Sequence, residues 1–253
     1  KKMKKMKLAA IFAGLVSVFT FSSCLNDGDS GPNYDLYEIV TVEDGSIFGG
    51  PVLKGDAWGY TYTPVASSVL AGLKASDGSY YKRVQVGIKL MEGEAITEGK
   101  KSYKVSEVGL IAILNYKDFN VQADTLKNEY ALVSLEDSNN KIWAINGYVN
   151  VPFTFKTKEQ LSMNDFHLYA VEAKEDTLVT RLRQTKGADD AYQTGGALIS
   201  FHMPFNDMEF RDIFDQVVPK SDTIVVKVTA KGENDKELVS TVKCSASNMQ
   251  GSY

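Results

Sequence analysis

Short runs in which apolar and polar residues alternate recur along most of this 253-residue chain. The clearest covers residues 82–90, where Val84, Val86, Ile88 and Leu90 share one face of an extended backbone. Successive side chains of a strand point to opposite faces, so the pattern predicts a strand with one face in a core and the other in water. Turn residues separate the runs, which favours a mostly β protein built from short strands.

The alternating runs fall into two groups along the chain. The first group comprises residues 36–42, 58–63, 82–90 and 103–108. A small barrel would bury four or five such strands best. Polar residues interrupt the alternation at residues 116–127, as is typical of a junction between domains. We therefore expect a small OB-like β-barrel domain at residues 34–115 and an antiparallel β-sandwich domain at residues 116–253.

Hairpins are expected to dominate the second group. Three of them are predicted, pairing residues 130–135 with 142–145, 166–171 with 177–182, and 223–231 with 238–244. The strand through Pro152 is expected at a sheet edge, because proline cannot donate a ladder hydrogen bond. Alternation places Cys244 on an inward face, which predicts a buried and inert thiol.

One short helix is predicted after residue 205. Asn206 can serve as its N-cap, and Glu209 stands three residues later, as in a capping box. Pro219 should end the helix. Its apolar stripe consists of four residues that are spaced so as to share one face of a helix: Phe210, Ile213, Phe214 and Val217.

The N-terminal segment has the three parts of a secretion signal. Five lysines lie among the first seven residues, and residues 8–21 form an uncharged apolar run that is short for a bilayer span. The run ends in Phe21, Ser22, Ser23 and Cys24, which resemble the processing site of bacterial lipoproteins. Residues 1–23 are therefore expected to be a signal peptide that is removed, with lipid then attached to Cys24.

A flexible tether is expected at residues 24–33, because the segment is polar and rich in glycine. The lipid would anchor the folded part to a membrane, and we expect that membrane to be the outer one. Asp27 and Asp29 resemble the acidic residues that follow the lipidated cysteine in surface-exposed lipoproteins. More specifically, we expect the folded part to be exposed at the cell surface.

Net charge argues against a nucleic-acid partner. The chain carries a formal charge of −4, and without the five N-terminal lysines the balance is about −9. Proteins that bind phosphate backbones present basic stripes that release counterions. The densest basic stretch left, at residues 100–104, is too small for that role.

The layout resembles the NigD-like lipoproteins of the Bacteroidetes. The resemblance lies in the Cys24 tether, the strand at residues 84–90, the strand beginning at residues 146–152, and residues 200–204 before the last hairpin. It implies an N-terminal OB-type barrel and a C-terminal β-sandwich. Some members of that family are linked to bacteriocin immunity, which suggests a partner-binding role. The family offers no catalytic residues to carry over.

Catalytic, cofactor and metal motifs are not found in the sequence. His167 and His202 have no short-spaced companions that would complete a metal site. The chain lacks a nucleophile elbow, and residues 93–101 depart from a phosphate loop in spacing and in lacking a following helix. Carboxylates for glycoside hydrolysis could come from a set that we interpret as solvated surface acids: Asp189, Asp190, Asp207, Glu209 and Asp212.

Exposed aromatic residues are the remaining candidates for a binding site. Five tyrosines lie in or beside predicted loops and polar faces, where their rings could contact a ligand: Tyr60, Tyr62, Tyr80, Tyr81 and Tyr192. The sequence therefore favours a membrane-anchored lipoprotein that binds a protein partner, without enzymatic activity or a cofactor. A glycan-binding accessory lipoprotein is the alternative, and an unrecognised hydrolase is the least favoured hypothesis.

Overall fold

The computed structural model describes residues 33–45, 50–120, 129–136, 140–158, 161–187 and 193–249. The expected signal peptide, Cys24 and the tether as far as residue 32 lie outside these ranges, as does Tyr192. The chain divides into two compact units at the boundary between Tyr116 and Lys117. In the described ranges, no helix is long and apolar enough to cross a membrane.

The first unit is a closed five-stranded barrel. Its strands are β1 (Leu36–Glu43), β2 (Val52–Gly55), β3 (Thr61–Pro64), β4 (Arg83–Leu90) and β5 (Ser102–Ile113), with a 3-10 helix at Ser67–Leu73. They are hydrogen-bonded in the order β1-β2-β3-β5-β4, and β4 returns to β1. Only β3 and β5 run parallel within this barrel. The predicted OB-like barrel is confirmed.

Alternation along β1 and β4 builds the core of the barrel. Val40 and Val84 are opposite each other in register and fully buried, as are their neighbours on the inner face. Leu70 and Leu73 of the 3-10 helix join the same core. One predicted strand begins later than expected, because residues 56–60 form a turn in which Gly59 has a φ of +62°. A backbone with positive φ cannot continue a strand.

The second unit contains two sheets that share one apolar core. Its strands are β6 (Asn115–Asp118), β7 (Leu132–Ser134), β8 (Trp143–Ile145), β9 (Tyr148–Thr157), β10 (Phe166–Lys174), β11 (Thr177–Gln184), β12 (Gln193–His202), β13 (Thr223–Lys231) and β14 (Glu237–Ser245). One sheet has the order β6-β12-β9-β7, with β8 also paired to β9, and the other has the order β10-β11-β13-β14. The sandwich is confirmed, although β11 and β13 form a parallel pair.

Two of the three predicted hairpins are confirmed, namely β10 with β11 and β13 with β14. The third is wrong, because β7 and β8 each pair with β9 instead of with each other. Pro152 therefore lies in a central strand. It is tolerated there because β8 pairs with residues 148–150 and β7 with residues 154–155, which leaves Pro152 in the gap between them.

Two α-helices occur in the described part of the chain, α1 (Met208–Phe214) and α2 (Ala246–Met249). Short 3-10 helices lie at Met163–Asp165 and Glu233–Asp235. The predicted N-cap of α1 is wrong by one residue, since the side chain of Asp207 accepts the hydrogen bond from the Phe210 amide. The predicted apolar stripe does face the core.

Cys244 packs against the core of the second unit, as alternation predicts. Burial raises the pKa of its thiol to about 12. A thiol with such a pKa is almost wholly protonated at neutral pH and is therefore a poor nucleophile.

Candidate functional site

The turn between β2 and β3 is tied to the barrel by backbone and side-chain hydrogen bonds. We call residues Asp56–Tyr60 the Trp58 turn. The amide of Gly55 donates to the carbonyl of Tyr60 at 2.8 Å, which closes the turn. The amide of Asp56 donates to the carbonyl of Ile39 at 3.0 Å, which ties the turn to β1.

A buried carboxyl lies beneath this turn. Glu38 is on the inner face of β1 and is only 4% exposed. Its Oε1 accepts a hydrogen bond from the Ala57 amide at 2.7 Å, and its Oε2 accepts one from the Tyr62 hydroxyl at 2.5 Å. Gly55 provides the room, because a Cβ there would lie 2.4 Å from Oε1. The carboxyl therefore holds the backbone of the turn from inside the barrel.

Burial raises the pKa of Glu38 to about 7. The hydrogen bonds from Tyr62, Ala57 and Trp58 oppose this shift but do not cancel it, and nearby Asp56 adds to it. Burial, followed by the charge of Glu38, also raises the pKa of Tyr62. Since the carboxyl is almost wholly enclosed, its geometry suits holding the turn better than it suits acid–base catalysis on a substrate.

A buried ion pair holds the turn from the other side of the barrel wall. Arg83 on β4 donates two hydrogen bonds to the carboxylate of Asp56, at 2.8 and 2.6 Å. The Arg83 guanidinium also donates to Thr41 Oγ1 at 2.8 Å. Its side chain is 0% exposed and that of Asp56 is 6% exposed. Such paired hydrogen bonds fix orientation as well as distance.

The turn carries an aromatic surface that includes a lysine. Trp58 and Tyr60 are stacked, with ring centroids 5.7 Å apart and planes inclined by 22°. Lys101 donates to the carbonyl of Trp58 at 3.0 Å, and its ammonium lies 5.3 Å from the centre of the Tyr60 ring. Tyr103 meets Tyr60 edge-on at 5.0 Å. We call Trp58, Tyr60 and Lys101 the Trp58 surface.

Of the four predicted tyrosines within the described residues, Tyr60 alone belongs to this surface. Tyr62 is not exposed as expected, because β3 begins at Thr61 and the next side chain points into the barrel, where it is fully buried. Tyr80 and Tyr81 are half-buried against the barrel core, as Trp58 and Tyr60 also are, but they lie outside the turn. Tyr192 lies outside the described residues.

The sequence interpretation missed Trp58, Lys101 and Glu38 as parts of a site. Gly55 and Gly59 bracket Trp58 and could have marked a turn there. Nothing in the sequence marks Glu38 as buried beyond its position in an alternating strand, because the residue type itself favours solvent.

The two histidines lie on different sheets of the second unit. His202 on β12 has its Nδ1 3.0 Å from a carboxylate oxygen of Asp118. His167 on β10 has its Nδ1 3.2 Å from both Lys117 Nζ and Asn120 Oδ1. Burial, and then the charge of Lys117, lowers the pKa of His167. Among the described residues, no group of three or more potential ligands could hold a metal ion.

Of the carboxylates considered for glycoside hydrolysis, the three within the described residues lie at α1. Asp207 caps α1, and Glu209 and Asp212 are exposed on the same short helix. Asp189 and Asp190 lie outside the described residues.

No family model and no curated protein matches the chain. A solved structure described as a toxin-related protein from Parabacteroides distasonis ATCC 8503 is similar at 16% identity and a TM-score of 0.52, covering 85% of this chain and 96% of that one. A protein described as a lipoprotein from Bacteroides fragilis NCTC 9343 is similar at 12% identity and a TM-score of 0.49, covering 85% and 98%.

The similar structures also include a NigD-like immunity protein from Bacteroides caccae ATCC 43185. It is 14% identical with a TM-score of 0.43, covering 86% of this chain and 99% of that one. At these identities the likeness concerns the fold alone.

Proposed function

We propose that this chain is a lipid-anchored binding protein of the bacterial envelope that contacts a protein partner through the Trp58 surface. The observation that carries the proposal is the double attachment of the turn. Glu38 holds its backbone from inside the barrel, and Arg83 holds Asp56 from the outer side of the wall.

Buried charges are an unusual way to hold a loop. A well-packed apolar replacement for a buried ion pair is often as stable as the pair or more so, because both charges must give up their hydration. A buried ion pair on one side of the turn and a buried carboxyl on the other are therefore better explained by the need to fix its position. Tryptophan and tyrosine are enriched among the residues that carry most of the energy of protein interfaces.

The location of the protein in the bacterial envelope is also part of the proposal. The apolar run before Cys24 and the small residues beside it support lipid attachment, and Asp27 and Asp29 support exposure on the outer membrane. The NigD-like resemblance supports an immunity-type role, in which the protein would bind a toxin or its target. Enzymatic activity is not part of this proposal.

Capture from the native envelope tests the proposal. The bait is the chain with Cys24→Ala, compared with the same bait carrying Trp58→Ala. Tyr37→Ala is the matched control, because Tyr37 is an exposed tyrosine of the same barrel at 42% exposure. We expect a protein that is retained by the parent and the control but lost with Trp58→Ala. Once purified, the captured protein should bind the Trp58→Ala variant at least about thirtyfold more weakly than it binds the parent, as expected for an interface hot spot.

A captured protein that binds the Trp58→Ala variant as tightly as the parent would contradict the proposed surface. Glycan binding is the second candidate, because Trp58 and Tyr60 are partly exposed aromatic rings of the kind against which a sugar ring can lie. Carbohydrate that depends on Trp58 in the eluate, without any Trp58-dependent protein, would favour this second function.

A further inference from the structure

The protonation of Glu38 has a consequence for the turn above it. We infer that Glu38 is a positioning residue of the Trp58 surface, and that loss of its proton promotes lifting of the Trp58 turn from the barrel. The inference concerns the regulation of the proposed site and therefore rests on the proposed function.

The geometry makes the turn the cover of this carboxyl. Oε1 bonds to the amide of Ala57 in the turn, while Gly55 presses against the carboxyl from the end of β2. A carboxyl that is 4% exposed can reach water only if one of these neighbours moves. Residues 57–60 are the part that can move, because Gly55 and Tyr62 belong to strands of a closed barrel and Asp56 is paired with Arg83.

Few other charged or titratable groups surround the carboxyl. The turn contributes Asp56, which is paired with Arg83. β3 contributes Tyr62, and Tyr60 and Tyr103 are the next phenols in the same cluster. β4 places Val86 opposite Glu38, and the inward neighbours on β1 itself are apolar. The carboxyl is therefore the group of this cluster that titrates in the neutral range.

Proton linkage gives the direction of the effect. With the turn closed, burial raises the pKa of Glu38 to about 7, whereas water would return it towards the ordinary value of 4.5. The open state binds the proton less tightly, so raising the pH from 4.5 to 7 favours opening. The opening constant should rise on the order of a hundredfold over this range.

Amide hydrogen exchange measured by NMR tests the inference without any partner. Protection factors of the Ala57 and Trp58 amides report the opening constant of the turn once the intrinsic pH dependence of exchange is removed. Between pH 5 and 8 we expect them to fall on the order of a hundredfold in the chain with Cys24→Ala. Glu38→Gln keeps an acceptor for Ala57 and removes the titration, so the fall should shrink to less than about threefold.

Two further variants make the result decisive. Tyr62→Phe removes a hydrogen bond that favours the ionised carboxyl, so the fall should move to higher pH. Glu43→Gln, on the same strand, should leave the profile of the parent unchanged. Equal profiles for the parent and Glu38→Gln would overturn the inference, as would Ala57 protection equal to that of the core amide of Val86 at every pH. Because exchange needs no ligand, a failed envelope capture would leave this result standing, and the reverse also holds.

Discussion

The two units bury different kinds of polar group. In the described residues, the fully enclosed charged side chains, Glu38 and Arg83, both belong to the barrel. Among its described residues, the buried polar side chains of the sandwich are neutral, such as the Asn150 and Ser200 pair, whose side-chain oxygens are 2.6 Å apart. Its core is instead rich in phenylalanine, with Phe119, Phe201 and Phe210 packed in edge contacts.

This difference indicates that the core of the sandwich serves mainly stability, whereas the buried ionisable groups of the barrel serve mainly to position a turn. Apolar packing is non-directional and stabilises whatever shape fills the space well. Buried ionised groups stabilise little in net terms, but they require particular partners at particular distances. The barrel places a buried ion pair and a buried carboxyl at a single turn, which is why we place the site there.

The largest effect is expected in the phenylalanine core. Phe210 is fully buried and contacts the rings of Phe119, Phe205 and Phe214. Phe210→Ala should lower the free energy of unfolding by about 4 kcal/mol through lost burial and the cavity left behind. Denaturant unfolding measures this, with Met208→Ala as the control on the same helix, since Met208 is 78% exposed. A loss below about 1 kcal/mol would show that this core does not stabilise by packing.

The buried ion pair should give the next largest effect. Arg83→Met leaves the Asp56 carboxylate enclosed without its guanidinium, and we expect a loss of about 3 kcal/mol. Arg83→Met combined with Asp56→Asn removes both charges and should recover much of that loss. Denaturant unfolding of both variants checks the prediction. A double variant less stable than the single one would show that the enclosed Asp56 carboxylate is not destabilising without its guanidinium.

Glu38 should make the barrel less stable as the pH rises. Its pKa in the folded protein, about 7, lies above the ordinary value of 4.5, so the folded state holds the proton more tightly. Stability is then full below pH 4.5 and declines as the pH rises to 7 and above. Glu38→Gln should be about 2 to 3 kcal/mol more stable than the parent at pH 8, with the difference vanishing near pH 4.5.

Denaturant unfolding at a series of pH values checks this prediction. Glu94→Gln is a useful control, because Glu94 is a half-buried carboxylate of the barrel whose pKa is lowered by its hydrogen bond from Lys100. That substitution should not stabilise the protein at pH 8. Stability of the parent that rises between pH 5 and 8 would contradict the assignment of Glu38 as a buried acid.

The fold was largely predictable because alternation specifies which face of a strand is buried. β4 and the β13–β14 hairpin follow from their sequences alone, since a slip by one residue would expose every apolar side chain. The pairing of β7 and β8 with β9 was not predictable, because three-residue strands carry too little pattern to choose a partner. The N-cap of α1 was ambiguous for a similar reason, since Asn206 and Asp207 are both good caps.

The site was less predictable than the fold. An aromatic residue within an alternating run looks the same whether it faces a core or a ligand, so Tyr62 and Tyr60 could not be told apart until the start of β3 was known. The Glu38 carboxyl accepts a hydrogen bond from the hydroxyl of Tyr62, which is 24 positions away along the chain. No local sequence pattern reports such a contact.

The smallest predicted effect concerns the outer wall of the barrel, where Tyr34 lies across two paired glycines. Gly87 and Gly109 are opposite each other in register, and a Cβ on Gly109 would lie 1.9 Å from the Tyr34 hydroxyl oxygen. Gly109→Ala should therefore displace the ring and cost about 1 kcal/mol of burial. In a Tyr34→Ala background the same change should instead stabilise by about 0.5 to 1 kcal/mol, because alanine loses less backbone entropy than glycine in a strand. A double-mutant cycle measured by denaturant unfolding detects this reversal of sign. Additive effects would mean that the two glycines are required by the strands themselves and do not make room for the Tyr34 ring. The barrel would then differ from the sandwich only in its buried charged groups.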